Sequence, residues 1–202
     1  MKPEAAQHLA LIRETLKAKQ YAQALKPQFW KPQELLRRIT QAPRTQTWLQ
    51  TTDSLTQRLR NEFQTLEIEI LSEEMERPLM AEAQKLNSSL ETETWIRCVL
   101  LNSEENALVY ARTVIPFFDA QNPWHELQKL GNQPLGEVLF LDKTVQRSGF
   151  EFAKIALNDL PHYRMRLSGS MALAHGIARR SVFYKNNFPL LLTEVFLPPH
   201  FE

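Results

Sequence analysis

The sequence predicts an α+β fold, an antiparallel sheet of about six strands with helices packed on one face. Two observations carry this prediction. The front half of the chain has apolar residues at helical spacing, and the back half contains two pairs of strand-like runs, each pair joined by a connection of hairpin length. Hairpins place successive strands antiparallel, and the helices can then cover one face of the sheet.

The front half is predicted to be helical. Residues 4–26 carry apolar side chains at helical spacing with mixed charges between them, which indicates an amphipathic helix. A short helix is expected over residues 32–39, because proline is favoured in a first helical turn. Residues 45–63 predict a further helix, which a polar stretch interrupts. Asp53 or Ser54 could cap a second helical piece there.

The first strands are predicted near the middle of the chain. Residues 66–71 alternate apolar and acidic side chains, which is typical of a half-exposed strand. Residues 72–89 are expected to form a helix or a mobile connection. The strongest strand signal follows, where residues 94–102 and 106–115 are separated by three residues and predict a hairpin.

A second hairpin is predicted near the C-terminus. It joins residues 181–186 to residues 188–197 and turns at Asn186-Asn187, where asparagine tolerates a positive φ. Between the two hairpins we expect a helix near residues 123–130 that stops at Gly131, and then a turn formed by Pro-Leu-Gly at positions 134–136.

Composition indicates an ordinary globular protein with one sizeable core, since 43% of the 202 residues are hydrophobic and 23% are charged. We expect a helical extension over residues 1–45 and a main domain over residues 46–202. The net charge of +1 favours neither nucleic acid nor an acidic membrane as partner. The sequence shows no apolar run of membrane-helix length and no secretion signal, so a cytoplasmic location is expected.

One strand-like segment of each hairpin contains a lone charge at a position expected to face inward, Arg97 within residues 94–101 and Glu194 within residues 190–198. A buried charge is costly unless it is paired or meets a ligand. One cation and one carboxylate from distant parts of the chain therefore suggest a pocket for a small polar molecule. From the residues alone, a structural ion pair explains Arg97 equally well and explains Glu194 better.

The cysteine and histidine content gives no sign of a metal or redox site. Cys98 is the single cysteine, so no internal disulfide can form, and alternation along the strand directs it away from the face of Arg97 into a core. The five histidines show no spacing typical of zinc ligands or of a catalytic triad. The residues themselves therefore predict no metal site.

Five sequence blocks together resemble the bacterial chorismate lyase (chorismate pyruvate-lyase) family. They are WIRCVLL at 95–101, ARTVIP at 111–116, LQKLGNQPLGEVLF at 127–140, ARRS at 178–181 and PLLLTEVFLP at 189–198. Their order and spacing resemble the family over roughly residues 50–198, which is most of a domain of this size. Residues 148–177 depart from the pattern, because this connection is longer than the family's.

The resemblance implies a cofactor-independent, monomeric enzyme that converts chorismate into 4-hydroxybenzoate and pyruvate and feeds ubiquinone synthesis. It implies that Arg97 holds a carboxylate and stabilises developing negative charge, and that Glu194 contacts the ring hydroxyl. It also implies that the backbone amide of Leu135 binds the product carboxylate. Leu55 stands where the family can have methionine, and its amide can make a similar contact. The alternative for Leu135 is simple core packing, which its side chain could satisfy in either case.

The roles of three further arginines, and two alternative functions, are not decided by the sequence. Arg112 is expected at the surface or in an ion pair, and Arg179 and Arg180 are expected to serve the structure or the approach of substrate. Ligand-sensing domains of some bacterial transcription regulators share the lyase-like fold and bind small carboxylates without catalysis. An inactive carrier of 4-hydroxybenzoate is a third interpretation, which activity measurements would separate from an enzyme.

Overall fold

Eight strands form one antiparallel sheet in the computed structural model, which describes residues 29–163, 167, 169 and 173–201. The strands are β1 (Lys31–Pro32), β2 (Glu67–Glu76), β3 (Thr94–Ser103), β4 (Asn106–Ile115), β5 (Gln146–Arg147), β6 (Glu151–Ala156), β7 (His175–Lys185) and β8 (Phe188–Phe196). Their order across the sheet is β1-β6-β7-β8-β4-β3-β2, and β5 also pairs with β7.

The antiparallel α+β fold is confirmed, but the expected number of strands is wrong. The sheet has eight strands instead of about six, and two of the eight, β1 and β5, are only two residues long. A two-residue strand is too short to show alternation of apolar and polar residues, so sequence patterns cannot detect it.

Both predicted hairpins are confirmed. Strands β3 and β4 pair along their length, from Trp95 opposite Ile115 to Ser103 opposite Asn106 beside the turn. Strands β7 and β8 are joined at Asn186 and Asn187, which adopt φ values of 50° and 67°. These left-handed values explain why asparagine occupies both positions of the turn. Strand β7 begins earlier than expected, because its first half pairs with β6.

Four α-helices are described: α1 (Pro43–Leu49), α2 (Leu55–Glu62), α3 (Met80–Leu86) and α4 (Leu135–Leu141). Short 3₁₀ helices cover Gln33–Arg38, His125–Lys129 and Leu157–Asp159. The predicted interruption between α1 and α2 is confirmed, since the Ser54 hydroxyl accepts a hydrogen bond from the backbone amide of Gln57 at 3.3 Å and caps α2. The predicted helix over residues 4–26 lies outside the described residues.

Two segments differ from their predicted structure. Residues 72–76 continue β2, because a strand at the sheet edge can expose acidic side chains, and α3 begins four residues later. The expected turn at residues 134–136 is instead the start of α4, with Pro134 as its N-cap residue. Proline suits both a turn and the entry to a helix, so the local pattern could not separate the two.

Alternation along the strands creates a hydrophobic cluster on each face of the sheet. One face packs under α1, α2 and α4, and its cluster includes Leu49, Leu59, Trp95, Val99 and Leu139. The opposite cluster includes Ile96, Cys98, Tyr110, Leu86 of α3 and Leu157. Three helices therefore share one face as expected, and α3 lies over the other.

Arg112 explains why α3 occupies the second face. Its side chain is buried beside Cys98, and it donates hydrogen bonds to the Glu82 carboxylate of α3 at 2.8 and 3.3 Å. Burial alone would lower the pKa of Arg112, but the charge of Glu82 raises it well above its usual value. Of the two predicted roles, a surface residue or an ion-pair residue, Arg112 has the second. Its side chain lies on the face of the sheet opposite to that of Arg97.

A nearby carboxylate is also held in its charged form. Glu76 at the end of β2 lies 2.7 Å from Nε2 of His162 and 3.8 Å from Nη1 of Arg112. Burial raises the pKa of Glu76, but the hydrogen bond to His162 and the charge of Arg112 together hold it below its usual value. The folded protein therefore binds a proton at Glu76 less readily than the unfolded chain does.

We expect Glu82→Gln to destabilise the protein by about 3 kcal/mol, because it removes the carboxylate hydrogen-bonded to the buried Arg112 and leaves only Glu76, at 3.8 Å, as countercharge. The measurement is the free energy of urea unfolding. Glu62→Gln is the control, since Glu62 pairs with Arg44 on the surface and its loss should cost about 0.5 kcal/mol or less. Equal losses in the two variants would contradict the structural role given to the Glu82–Arg112 pair.

Glu76 is expected to contribute to acid sensitivity. Because its pKa is lowered by folding, its stabilising contribution is present above its unfolded pKa and is lost as the pH falls through the folded value. Unfolding free energies measured between about pH 5 and about pH 3 should fall less steeply for Glu76→Gln than for the wild type. Parallel curves would show that Glu76 has no such role.

Candidate functional site

A cavity lies on the helix-covered face of the sheet, against the first turns of α2 and α4. Its walls are mostly apolar and include Val99, Leu101, Phe150, Phe183 and Leu192. Four charged side chains contribute to its lining, namely Arg97, Arg147, Arg179 and Glu194. An apolar cavity with a few convergent polar groups is the usual form of a small-molecule site.

Strand register brings the predicted pair of charges to this cavity. Arg97 on β3 lies opposite Thr113 of β4, and Glu194 on β8 lies opposite Ala111 of β4 and Arg179 of β7. Cross-strand partners share a face of the sheet, so the side chains of all five residues are on the cavity side.

Arg97 is buried, with 3% of its surface exposed, and it pairs with Glu73 of the neighbouring strand β2. Its Nη2 donates to the backbone carbonyl of Gly131 at 2.5 Å. A guanidinium has five N–H donors, and these two contacts leave others available to the cavity. The acid partner of Arg97 is therefore Glu73, and the ion pair with Glu194 that the sequence left open is not formed.

Glu194 is held by Arg179, whose Nε donates to Oε2 of Glu194 at 2.6 Å. Nη1 of Arg179 also donates to the carbonyls of Leu49 and Thr51, at 3.2 and 2.7 Å. Arg179 thus connects the end of α1 to the cavity carboxylate. Among the hydrogen bonds of the described residues, none reaches Oε1 of Glu194, so this oxygen can accept one from a ligand.

Leu55 and Leu135 are the first residues of α2 and α4, and both line the cavity. A backbone amide in a first helical turn has no acceptor within its own helix. The two helix starts pack together, since a methyl group at Gly136 would lie 3.5 Å from Oγ of Ser54 and 3.7 Å from Oγ1 of Thr56. Two backbone amides are thereby brought to one side of the cavity.

The family model for chorismate lyase matches residues 24–202, which is most of the sequence. This chain belongs to the chorismate lyase family. A relative from Hydrogenovibrio crunogenus, named a probable chorismate pyruvate-lyase, is 39% identical over 83% of this chain and 89% of the relative. Another of the same name, from Ralstonia nicotianae, is 37% identical over 75% of this chain and 80% of the relative.

Solved structures show the same fold at low sequence identity. The effector domain of PhnF from Mycobacterium smegmatis has a TM-score of 0.51 and 9% identity, covering 73% of this chain and 90% of the PhnF domain. At 9% identity, the similarity between this chain and the PhnF domain shows a shared fold and nothing more. None of the helices among the described residues is long and apolar enough to cross a membrane.

Sequence reasoning missed two of the arginines that line this cavity. Arg147 was not singled out, because it lies in the two-residue strand β5, where no alternation is visible. Arg179 was grouped with Arg180, although neighbouring residues of a strand point to opposite faces. That alternation was the available signal. Arg180 lies on the other face, where its Nε donates to Glu151 at 2.8 Å.

One group of possible metal ligands occurs among the described residues. Glu74, Glu76 and His162 place their ligand atoms within 4.8 Å of one another. Glu74 lies opposite Ile96, whose side chain belongs to the cluster on the second face of the sheet. The group is therefore separated from the cavity by the sheet itself.

We expect Arg179→Lys to lower the unfolding free energy by about 2 kcal/mol, because one ammonium group cannot reproduce the guanidinium's contacts to Glu194 and to the α1 carbonyls. Chemical denaturation measures this loss. Arg37→Lys is the matched control, since Arg37 is exposed and should tolerate the change. If both variants unfold alike, Arg179 does not connect α1 to the sheet in the way described.

Proposed function

We propose that this protein is a chorismate pyruvate-lyase that converts chorismate into 4-hydroxybenzoate and pyruvate. The observation that carries the proposal is the apolar cavity in which Arg97 and Glu194 are both present, in a chain of the chorismate lyase family. The names of the relatives supply the reaction, and the cavity supplies groups with the chemistry it requires.

The reaction needs orientation and charge stabilisation more than a strong nucleophile. Chorismate has two carboxylates, a ring hydroxyl and an enolpyruvyl ether. Cleavage of the bond between the ring and the ether oxygen, with loss of a proton from the hydroxyl-bearing carbon, leaves an aromatic ring and releases enolpyruvate. The methylene carbon of enolpyruvate takes up a proton, which gives pyruvate. Aromatisation drives the reaction, so a site that holds the substrate in one pose and stabilises developing charge is sufficient.

The proposed binding pose follows from the positions of the polar groups. The ring carboxylate is held by the guanidinium of Arg97 and by the backbone amides of Leu55 and Leu135. The hydroxyl on the opposite side of the ring donates to the free Oε1 of Glu194, which Arg179 keeps in place through Oε2. The apolar walls exclude water and thereby strengthen both interactions.

The cellular setting is part of the same proposal. The product 4-hydroxybenzoate is a precursor for ubiquinone synthesis, and we place the enzyme in the cytoplasm as a monomer. The first turns of α2 and α4 line the cavity, and we propose that one of these segments moves to release the product; slow release would then appear as product inhibition.

We expect the purified wild type to release pyruvate and 4-hydroxybenzoate from chorismate in equal amounts without added metal. Arg97→Lys and Glu194→Gln should each lower kcat by about a hundredfold, since each removes a charge-stabilising contact that the other residue cannot replace. The measurement is coupled detection of pyruvate beside chromatography of the aromatic product.

Arg37→Lys and Glu62→Gln serve as matched surface controls and should retain full activity. Circular dichroism of every variant separates a catalytic defect from misfolding. A folded wild type that binds 4-hydroxybenzoate but releases no pyruvate would overturn the proposal, and it would favour a ligand sensor or a 4-hydroxybenzoate carrier with the same fold.

A further inference from the structure

Arg147 is the third arginine of the cavity, and the roles given above do not use it. It lies on β5, opposite Phe183 of β7, and is half-buried. Its guanidinium carbon is 4.1 Å from the ring centroid of Phe150 and 5.8 Å from that of Phe183. Nη1 donates to the backbone carbonyl of Thr52 at 3.0 Å. The side chain is thus held in place by aromatic rings and a carbonyl.

The charge of Arg147 is compensated differently from the charges of the other two cavity arginines. Arg97 pairs with Glu73, and Arg179 pairs with Glu194. Arg147 forms no ion pair with any carboxylate of the described residues. Burial and the positive charge of Arg179 both lower the pKa of Arg147, and the charges of Glu194 and Asp53 offset this only in part.

An anion that entered the cavity would therefore find one cation that is fixed in position and not yet paired. Stacking on aromatic faces orients a guanidinium but does not neutralise it. Arginine in this state binds a carboxylate well, because its planar fork matches the two oxygens and no resident acid has to be displaced. Arg147 is accordingly suited to an anionic part of the ligand.

The strand order separates Arg147 from Arg97. From β5 the sheet runs through β7, β8 and β4 to β3, so Glu194 on β8 lies between the two arginines. In chorismate the ring carboxylate is opposite the hydroxyl, whereas the carbon that bears the enolpyruvyl ether is next to the hydroxyl. If Glu194 accepts the hydroxyl and Arg97 holds the ring carboxylate, the ether carbon lies at the Glu194 end of the ring, and the enolpyruvyl group can extend from there toward Arg147.

We propose that Arg147 binds the carboxylate of the enolpyruvyl group, so that the cavity recognises a dicarboxylate through two arginines on opposite sides of Glu194. This inference rests on the proposed function, and it adds the residue that distinguishes the substrate from the monocarboxylate product. The same contact holds the leaving three-carbon unit in the orientation required for cleavage of the ether bond.

The test compares a ligand with one carboxylate and a ligand with two. Arg147→Gln should raise KM for chorismate at least about tenfold, the loss expected for a charged hydrogen-bonded contact. Its Kd for 4-hydroxybenzoate, measured by calorimetric titration, should change less than about twofold, because the product lacks the second carboxylate. Arg147→Lys should fall between Arg147→Gln and the wild type, since it keeps the charge but loses the planar fork.

Lys143→Gln is the matched control, because it removes an exposed positive charge from the segment just before β5 and should leave both constants unchanged. An unchanged KM in Arg147→Gln would overturn the inference. Equal weakening of chorismate and 4-hydroxybenzoate would also overturn it, since that result would indicate a general effect on the cavity.

Failure of the proposed function would be visible separately. If the wild type binds chorismate without releasing pyruvate, the lyase proposal fails, and Kd for chorismate replaces KM in the same comparison. A selective loss of chorismate affinity in Arg147→Gln would then still support recognition of the second carboxylate. Equal chorismate affinity in variant and wild type would overturn it.

Discussion

Buried arginine–carboxylate pairs determine how the elements of this protein are joined. A fully buried charge on a sheet face is costly unless a neighbouring element supplies its partner. Four arginines of the long strands meet this condition, and each of their pairs joins two elements. The pairs are Arg97–Glu73 between β3 and β2, Arg112–Glu82 between β4 and α3, Arg179–Glu194 between β7 and β8, and Arg180–Glu151 between β7 and β6.

The same constraint gives the cavity its chemical character. Glu194 is available to a ligand through one oxygen because Arg179 occupies the other, and Arg97 has donors to spare because Glu73 and the Gly131 carbonyl use only two. The pairing fixes the side chains before any ligand is present. Binding in such a preorganised site costs less conformational entropy than binding to mobile side chains, so more of the interaction energy is available to orient the ligand.

The sequence was informative where a physical rule acts locally. The long strands of both hairpins could be predicted because alternation persists over many residues, and Arg97 and Glu194 could be singled out as charges facing an apolar layer. Their partners could not be predicted, because Glu73 and Arg179 are brought to them by strand register, a long-range property. Arg147 could not be singled out, because its strand is too short to show any pattern. The position of α3 on the second face could not be predicted either, because the sequence does not show that Glu82 of α3 is the partner of Arg112.

Adjacent arginines on β7 carry a further consequence for folding. Arg179 points toward the cavity and Arg180 toward the opposite cluster, each meeting its own carboxylate. A slip of β7 by one residue would move one arginine into the position of the other, and it would leave the remaining arginine and one of the two carboxylates without a partner. Misregistered sheets are therefore penalised twice, by lost packing and by two uncompensated charges. The two adjacent arginines thus make the native alignment of the central strands far more favourable than alignments shifted by one residue.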